Sequence, residues 1–391
     1  MELTKEEEEM LNGKQGNAVK KSMEILCALG EIFGAKRLIP VTSVQISGVS
    51  YANLGEAGLE FLVEMAEDGR VKVKTTLNPA GIDTKNWQAL GIDSEFAEKQ
   101  RRVIEAFEKM GVAATCTCTP YLVGNRPNIG EHIAWGESSA VTYANSVLGA
   151  KTNKEGGPST IASALTGRTA EYGLHLDENR QAQFVAEVKA NVKGVMLFGA
   201  LGYVLGKAAG GRIPLIRGIS KASLEELKAL SASFVTYGGA PMFHIEGITP
   251  NETIVPSEKF IVQQEDINRA IAEMNDADDA DFVFIGCPHC SIEELRELSE
   301  LLKGKKVKKE FWVGVARPLK VLADEMGYSS VIEESGAKFA CDTCHAIAPL
   351  KGRFKAIATN SAKGVYYGRG QNRFRTIFRD LAECVSLAVG T

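Results

Sequence analysis

Apolar residues along this chain switch repeatedly between the period of a helix and the period of a strand. Met23, Leu26 and Leu29 keep helical spacing and predict a helix over residues 17–33, which Asn17 can cap. The same pattern predicts further helices over residues 51–67, 95–110, 177–190, 223–230, 267–274, 291–302 and 318–326, and a last helix with Phe374, Ile377, Phe378, Leu381, Cys384 and Ala388 on one stripe. The predicted strands cover residues 37–46, 71–77, 112–118, 212–217, 233–248, 281–286, 311–316, 338–341 and 356–360.

This alternation predicts an α/β fold of several doubly wound parallel or mixed sheets around a central cleft, because strands joined through helices run parallel. The chain has 391 residues, which is long for a single core. We therefore predict an α/β domain over residues 1–190, a smaller one over 191–275 and a third over 276–391. Ligands in such sheets bind beyond the carboxyl ends of the strands.

Composition narrows the class of protein. The formal net charge is -4 and no basic block occurs, so nothing in the charge balance indicates nucleic acid. No uncharged apolar run reaches about 18 residues, which predicts no membrane span. The first residues lack the pattern of a signal peptide, and Thr4 with Glu7 reads as a capping box that opens a helix. We expect a cytoplasmic protein.

Eight cysteines in a reducing compartment point to metal binding or catalysis before disulfides. Cys118 ends one predicted strand, and Cys287 and Cys344 follow two others, so all three are expected at one edge of the fold. Three interpretations remain open here. An iron–sulfur cluster could take one thiolate from each strand end, or a disulfide could form within each CxxC. Zinc could use Cys287, Cys290, Cys341 and Cys344, although the 50 residues between the two pairs exceed the usual spacing of about 15–20.

Polar loops at other strand ends supply further candidates. Residues 47–50 lie between a predicted strand and a helix N-terminus, where backbone N–H groups can bind an anion, although Ser and Gly also fill ordinary loops. Asn78 and Pro79 end another strand. Residues 130–173 are rich in small and polar residues and predict a long functional loop that contains Glu137, an acid, a base or a solvated side chain.

Six motifs together resemble the large subunit of the aconitase X family. They are Thr117–Tyr121, Gly286–His289, Asp342–Cys344, Ser47–Tyr51, Trp135–Ala140 and Asn145–Ala150. The resemblance covers nearly the whole chain in order and implies an aconitase-like fold and a hydro-lyase activity. Fused members of the family carry an additional swivelling domain at the C-terminus. This chain ends at Thr391, so it resembles the split, archaeal-type form with a separate small subunit.

The resemblance also implies site residues. It places an iron–sulfur cluster, expected to be [4Fe-4S] with one open iron, on Cys118, Cys287 and Cys344, and leaves Cys116, Cys290 and Cys341 as neighbours. It gives catalytic roles to Glu137, Ser138 and Lys363. The implied substrate contacts are Gly48, Val49, Ser50, Asn78, Pro79, Glu137, Ser138 and Lys363. Without the resemblance, Lys363 reads as an ordinary surface lysine.

The implied reaction is the removal of water from a phosphorylated hydroxy acid, mevalonate 5-phosphate, to give trans-anhydromevalonate 5-phosphate in an archaeal isoprenoid route. In aconitase relatives a serine on the swivelling domain takes the proton, so the small subunit is expected to supply that base. Two alternatives remain: a 3-hydroxyproline dehydratase of the same family, and a non-catalytic scaffold subunit held together by zinc.

Overall fold

The computed structural model describes residues 1–390. Its helices are α1 (Lys5–Leu11), α2 (Asn17–Phe33), α3 (Tyr51–Asp68), α4 (Ser94–Lys109), α5 (Ser138–Tyr143), α6 (Gly157–Thr166), α7 (Val195–Ala209), α8 (Leu224–Gly238), α9 (Gln264–Glu273), α10 (Ile292–Leu302), α11 (Arg317–Glu325), α12 (Tyr328–Glu334), α13 (Ala362–Gly370) and α14 (Leu381–Val389). Its strands are β1 (Leu38–Pro40), β2 (Ser43–Ile46), β3 (Lys74–Leu77), β4 (Ala134–Trp135), β5 (Arg168–Ala170), β6 (Phe184–Val188), β7 (Pro214–Arg217), β8 (His244–Ile245), β9 (Lys259–Val262), β10 (Phe282–Ile285), β11 (Glu310–Val315), β12 (Lys338–Cys341), β13 (Ala356–Thr359) and β14 (Arg375–Phe378).

Three parallel sheets organise the fold. The largest has five strands in the order β12-β11-β10-β13-β14, the second has four in the order β8-β7-β6-β9, and the third has three in the order β3-β2-β4. A small antiparallel pair joins β1 to β5. The predicted α/β class with several parallel sheets is confirmed.

Each parallel sheet contains a point where the strand order reverses. It lies between β10 and β13 in the five-stranded sheet, and between β2 and β4 in the three-stranded sheet. Loops that leave neighbouring strands at such a point diverge to opposite faces and open a crevice at the carboxyl ends. The segments that begin at Ser47, Gly136, Gly286 and Asn360 all leave strands at these points.

Capping groups define several helix starts, and the predicted capping box of α1 is confirmed. Thr4 with Glu7 opens α1, Asp93 caps α4, and Ser291 with Glu294 opens α10. The predicted cap of α2 is wrong, because Asn17 is the first helical residue. The Asp68 carboxylate accepts hydrogen bonds from the N–H groups of Asn17 at 2.6 Å and Ala18 at 3.0 Å, so a distant helix end caps this one.

The predicted strand over residues 112–118 is wrong. This segment makes one isolated bridge, between Ala113 and Thr76, and Cys116 has a φ of 42°. A positive φ breaks the alternation of side chains along a strand. Cys116 and Cys118 therefore do not share a face through strand periodicity.

Two further predictions are wrong, one at the end of the first predicted domain and one in the second predicted domain. Residues 177–190 contain a short turn and strand β6 rather than a helix, and residues 233–248 complete helix α8 before the two-residue strand β8. Helices α7 and α8 pack through glycine: a Cβ on Gly206 would stand 2.7 Å from the carbonyl oxygen of Phe234. The apolar residues after Ser233 therefore belong to α8 and pack against α7. Their composition resembles that of a buried strand, which is why a strand was predicted there.

Segment 130–173 is not a long loop. It holds β4, α5, α6 and β5, and a π-helical turn at Ala144–Leu148. The predicted C-terminal stripe is also divided, because Phe374 precedes β14 and the helix begins at Leu381. None of the helices in residues 1–390 combines the length and apolar character that crossing a membrane requires.

Candidate active site

The carboxyl ends of the three-stranded and five-stranded sheets meet each other. Asn78, after β3, donates a hydrogen bond to Glu137, which follows β4, at 2.9 Å. Lys363, in the first turn of α13, donates to the same carboxylate across the gap between the two sheets. The N–H of Ala80 also donates to the carbonyl of Asp342 at 2.7 Å. Residues as far apart in the sequence as Asn78 and Lys363 thus lie in one crevice.

Cys118, Cys287 and Cys344 line this crevice together. They keep relative exposures of 7%, 9% and 8%, whereas Cys116 and Cys290 are at 0%. The three thiols lie close enough for their charges to act on one another. Burial, followed by the charges of Cys287 and Cys118, raises the pKa of Cys344 well above its usual value, and burial raises the pKa of Cys118 to about 12. A thiol in such surroundings stays protonated until a cation is present.

The neighbouring cysteines have different surroundings. Cys290 lies beside Glu294 and Lys228, and Cys341 lies beside Asp83 and Arg317. All eight cysteines are free, so neither CxxC forms a disulfide. In the part of the chain that the structure describes, no three Cys, His, Asp or Glu side chains are gathered closely enough to hold a single metal ion. Cys290 and Cys341, which the zinc interpretation requires together, thus lie beside different charged pairs.

A buried ion pair between Lys363 and Glu137 forms the polar wall of the crevice. The Lys363 ammonium also donates to Ser139 Oγ at 3.1 Å, and that hydroxyl donates to Glu137 at 2.8 Å. The side chains of Lys363 and Glu137 are only 8% and 13% exposed. Lys363, predicted as a surface residue without the family resemblance, is therefore buried.

The ion pair fixes the charge of both groups. Burial acts to raise the pKa of Glu137, but the Lys363 charge and the hydrogen bonds from Lys363, Ser139 and Asn78 outweigh it, and the pKa lies below its usual value. Burial acts to lower the pKa of Lys363, and the Glu137 charge reverses this, so that its pKa is raised. The carboxylate and the ammonium are both ionised at neutral pH.

Residues 47–50 connect β2 to α3 and border the same crevice. Gly48 has a φ of 73°, and no heavy atom lies within 4 Å of the position that a Cβ would take. The side chains of Val49 and Ser50 are buried, and the Ser50 hydroxyl donates to the carbonyl of Ile347 at 3.4 Å. Both residues are therefore almost completely shielded from solvent. Pro79 is buried, and Ser138 is half-buried at the start of α5.

Family models match the chain along almost its whole length. The aconitase X first domain matches residues 1–178, the second domain 182–272 and the third domain 280–390. The chain belongs to the aconitase X family.

Individual members of the aconitase X family are similar to the chain from end to end. The phosphomevalonate dehydratase large subunit of Methanosarcina mazei is 43% identical over 100% of this chain and 98% of that protein. A crystal structure of Thermococcus kodakaraensis aconitase X in a holo-form has a TM-score of 0.93 at 45% identity, covering 99% of this chain and 100% of that one. The cis-3-hydroxy-L-proline dehydratase of Hypocrea jecorina is 36% identical over 99% of this chain and 68% of that protein. The predicted aconitase-like fold is confirmed.

The donor set of this aconitase X chain fits an iron–sulfur cluster. Three thiols converge, and clusters are held by thiolates that each bind a different iron, so the sulfur atoms need not surround one ion. Two buried polar atoms near the thiols, Asn78 Oδ1 and Thr343 Oγ1, have no hydrogen-bond partner within residues 1–390. Buried polar atoms are normally satisfied, so these two are available to a bound group or to water.

The sequence patterns missed two residues of the aconitase X site. Ser139 touches both Lys363 and Glu137, but it was part of the motif only as a neighbour of Ser138. His289 is fully buried, and burial lowers its pKa to about 4, so its ring is neutral. Its position two residues after Cys287, at the end of a buried strand, was the available signal.

Proposed function

We propose that the chain is the large subunit of a phosphomevalonate dehydratase. This enzyme is a hydro-lyase that removes water from mevalonate 5-phosphate to give trans-anhydromevalonate 5-phosphate. The main support is the convergence of three cysteine thiols with the Lys363–Glu137–Asn78 network in a chain 43% identical to a phosphomevalonate dehydratase large subunit. The eight free thiols support a reducing compartment, in agreement with a cytoplasmic protein.

The thiols of Cys118, Cys287 and Cys344 would hold an iron–sulfur cluster, for which [4Fe-4S] with one iron lacking a protein ligand is the form we favour. Hydroxide is a poor leaving group, and such a cluster, when bound, supplies a Lewis acid for the departing hydroxyl oxygen. Cys116, Cys290 and Cys341 are more deeply buried, at 0%, 0% and 2% exposure, and we assign them no role in binding the cluster.

Lys363 and Asn78 have unused hydrogen-bonding capacity for a substrate. An ammonium has three donors, and Lys363 directs one to Glu137 and one to Ser139, which leaves one free for an anionic oxygen. Asn78 donates its amide N–H to Glu137, so its Oδ1 points away as a free acceptor for a substrate hydroxyl. Glu137 orients both groups, and we assign the half-buried Ser138, next to it, to the same wall.

The loop of Gly48, Val49 and Ser50 provides a place for the second anionic group of the substrate. It leads into the first turn of α3, where Ser50 provides no side-chain cap and the non-helical backbone of Gly55 interrupts the helix. Backbone N–H groups at such a helix start can bind an anionic group. Gly48 leaves open space where a side chain would stand. We assign this loop and Pro79 to contacts with the carboxylate or the phosphate.

Removal of the proton next to the carboxylate needs a base positioned within hydrogen-bond reach of that proton. The Methanosarcina relative is named a large subunit, which supports a small-subunit partner for this chain. We assign the catalytic serine to a swivelling domain on that partner. The charge balance of this chain supports a small-molecule substrate, with no role for nucleic acid or a membrane surface.

The function is tested by combining the anaerobically reconstituted chain with its small subunit and supplying mevalonate 5-phosphate. We expect loss of water and formation of trans-anhydromevalonate 5-phosphate, and no turnover by the chain alone. Turnover of the substrate by the chain alone would contradict the assignment of the base to the partner.

A cis-3-hydroxyproline dehydratase is the second candidate, supported by the Hypocrea relative at 36% identity. That substrate has no phosphate group to place in the Gly48–Ser50 loop. Activity of the reconstituted pair on cis-3-hydroxy-L-proline, with none on mevalonate 5-phosphate, would replace the first proposal by the second.

A further inference from the structure

His289 contacts the segments of two of the three site cysteines and lies two residues from the third. Its backbone N–H donates to Cys118 Sγ at 3.2 Å. Its ring lies between Thr117 Oγ1, 2.9 Å from Nδ1, and the carbonyl of Thr343, 2.9 Å from Nε2. Because a carbonyl only accepts, Nε2 carries the proton and Nδ1 accepts from the Thr117 hydroxyl. Thr117 and Thr343 directly precede Cys118 and Cys344 in the sequence.

A second buried ion pair holds the loop of His289 from behind. The Lys228 ammonium donates to the carbonyl of His289 at 2.9 Å and pairs with Glu294. Glu294 in turn accepts the N–H of Ser291 at 2.8 Å. The side chains of Lys228 and Glu294 are 2% and 10% exposed. Lys228 belongs to α8, which lies outside both sheets whose ends form the crevice, so this contact ties a third part of the fold to the cysteine loop.

We propose that Lys228 and His289 are positioning residues, which hold the three cysteine-bearing segments in place before any cluster binds. This proposal rests on the proposed function for the identity of the bound group. We call Lys228, Glu294, His289, Thr117 and Thr343 the His289 clamp. Groups that orient metal ligands commonly change metal affinity by about 10- to 100-fold when they are replaced. The clamp also gives a reason for the burial of Lys228, whose ammonium donates to the carbonyl of His289 and contacts none of the groups assigned to the substrate.

The clamp is tested with the double variant Lys228→Met/Glu294→Gln in the full-length chain. Methionine removes the hydrogen bond to His289, and glutamine keeps an acceptor for Ser291, so no unpaired charge stays buried. The matched control is Lys207→Met/Glu273→Gln, which makes the same changes at an exposed ion pair with side-chain exposures of 54% and 46%. The variant Lys228→Arg retains a donor and a charge and serves as the rescue.

Two measurements report on the clamp. In the metal-free protein, we expect amide hydrogen exchange over residues 116–119, 286–291 and 342–345 to become about tenfold faster in the double variant than in the wild type. In the loaded protein, we expect loss of the visible absorption of the cluster to an iron chelator to become about 10- to 100-fold faster. The control pair should leave both rates unchanged, and Lys228→Arg should restore most of each.

The outcomes separate this proposal from the proposed function. Unchanged exchange in all three segments of the double variant overturns the clamp, whatever the iron content. If the wild-type chain takes up neither iron nor sulfide, the proposed identity of the bound group is wrong. The exchange rates then decide alone whether the clamp holds the three segments. The variant His289→Ala removes both hydrogen bonds of the ring and tests the clamp at its centre. If this variant does not fold, the double variant still gives the decisive comparison.

Discussion

At the scale of single residues, the buried Lys363–Glu137 pair couples the charges of two side chains in the crevice. Both groups are buried and ionised, and each is the counter-charge of the other. Removing one partner of such a pair leaves an uncompensated charge, which costs about 3–5 kcal/mol. Replacing both partners removes the charge altogether and is far less costly.

We therefore expect Lys363→Met to lower the free energy of unfolding by about 3–5 kcal/mol and Lys363→Met/Glu137→Gln to recover most of that loss. Urea unfolding of the four members of this cycle measures the coupling. Both variants should lose dehydratase activity with the small subunit by roughly 100-fold or more, since the substrate-facing donor is absent in each. Equal stabilities across the cycle would show that the two side chains are not paired.

Buried histidines make stability depend on pH. Burial lowers the pKa values of His175, His289 and His345 to about 3, about 4 and about 4. All three stay neutral when folded but take up protons in the unfolded chain below about pH 6.5. The unfolded state then binds more protons, so this contribution to stability is complete above about pH 6.5 and is lost as the pH falls towards about 4.

The slope should be about 1.4 kcal/mol per pH unit for each histidine that changes its protonation. His175→Gln removes one contribution, and His175 lies away from the cysteine crevice, against His132 with 3.0 Å between their Nδ1 atoms. Urea unfolding at several pH values between about 7.5 and about 5 compares the two proteins. A variant slope as steep as that of the wild type would contradict the assignment.

The sequence predicted which side chains lie together better than it predicted their local geometry. The three cysteines and Glu137 belong to the motifs that carry the family resemblance, and that resemblance implied Lys363. The structure brings the five together, and their roles stay predictions. The burial of Lys363 could not be derived from its neighbours, because the counter-charge lies 226 residues away. The positive φ of Cys116 likewise could not be predicted from the sequence, because glycine is the residue that indicates a positive φ, and this position is a cysteine.

At the scale of elements, the contact between α7 and α8 depends on residues that lack side chains. A Cβ on Gly206 would lie 2.7 Å from the Phe234 carbonyl oxygen and 3.0 Å from the Gly238 nitrogen. Neither backbone atom can move without displacing α8. On the same helix, a Cβ on Gly199 would meet its nearest atom, in Ala362, at an ordinary 3.5 Å.

We expect Gly206→Ala to lower the free energy of unfolding by about 1–3 kcal/mol, as overpacked sites do. Gly199→Ala is the control, and it should be neutral or stabilising by up to about 1 kcal/mol, because alanine favours helix over glycine. Denaturant midpoints of the two variants give the comparison. The packing argument would be wrong if both alanine variants were equally stable.

Elements with their own capping signals were predicted well, and those defined by tertiary contacts were not. The starts of α1, α4 and α10 follow from capping residues within the segment. Strand β6 was predicted as a helix because its apolar residues are buried on both faces in a parallel sheet and lose the alternation of a half-exposed strand. The start of α2 depends on Asp68, which no local pattern could indicate.

At the scale of the whole molecule, the site exists because two sheets place their reversal points against each other. The general rule that ligands bind at the carboxyl ends of parallel strands predicted the edge of the fold at which the structure brings these residues together. The rule could not say which sheets face each other. The division into residues 1–190, 191–275 and 276–391 stays a prediction, and β6, at Phe184–Val188, pairs with strands of the four-stranded sheet.

The central claim is that Cys118, Cys287 and Cys344 bind one iron–sulfur cluster. The most direct test is the iron and acid-labile sulfide content of anaerobically reconstituted protein with each cysteine replaced by alanine in turn. We expect Cys118→Ala, Cys287→Ala and Cys344→Ala to lose both, and Cys116→Ala, Cys290→Ala and Cys341→Ala to retain them in folded protein. Zinc without sulfide in the wild type, or retention of the cluster after loss of Cys118, Cys287 or Cys344, would contradict the claim.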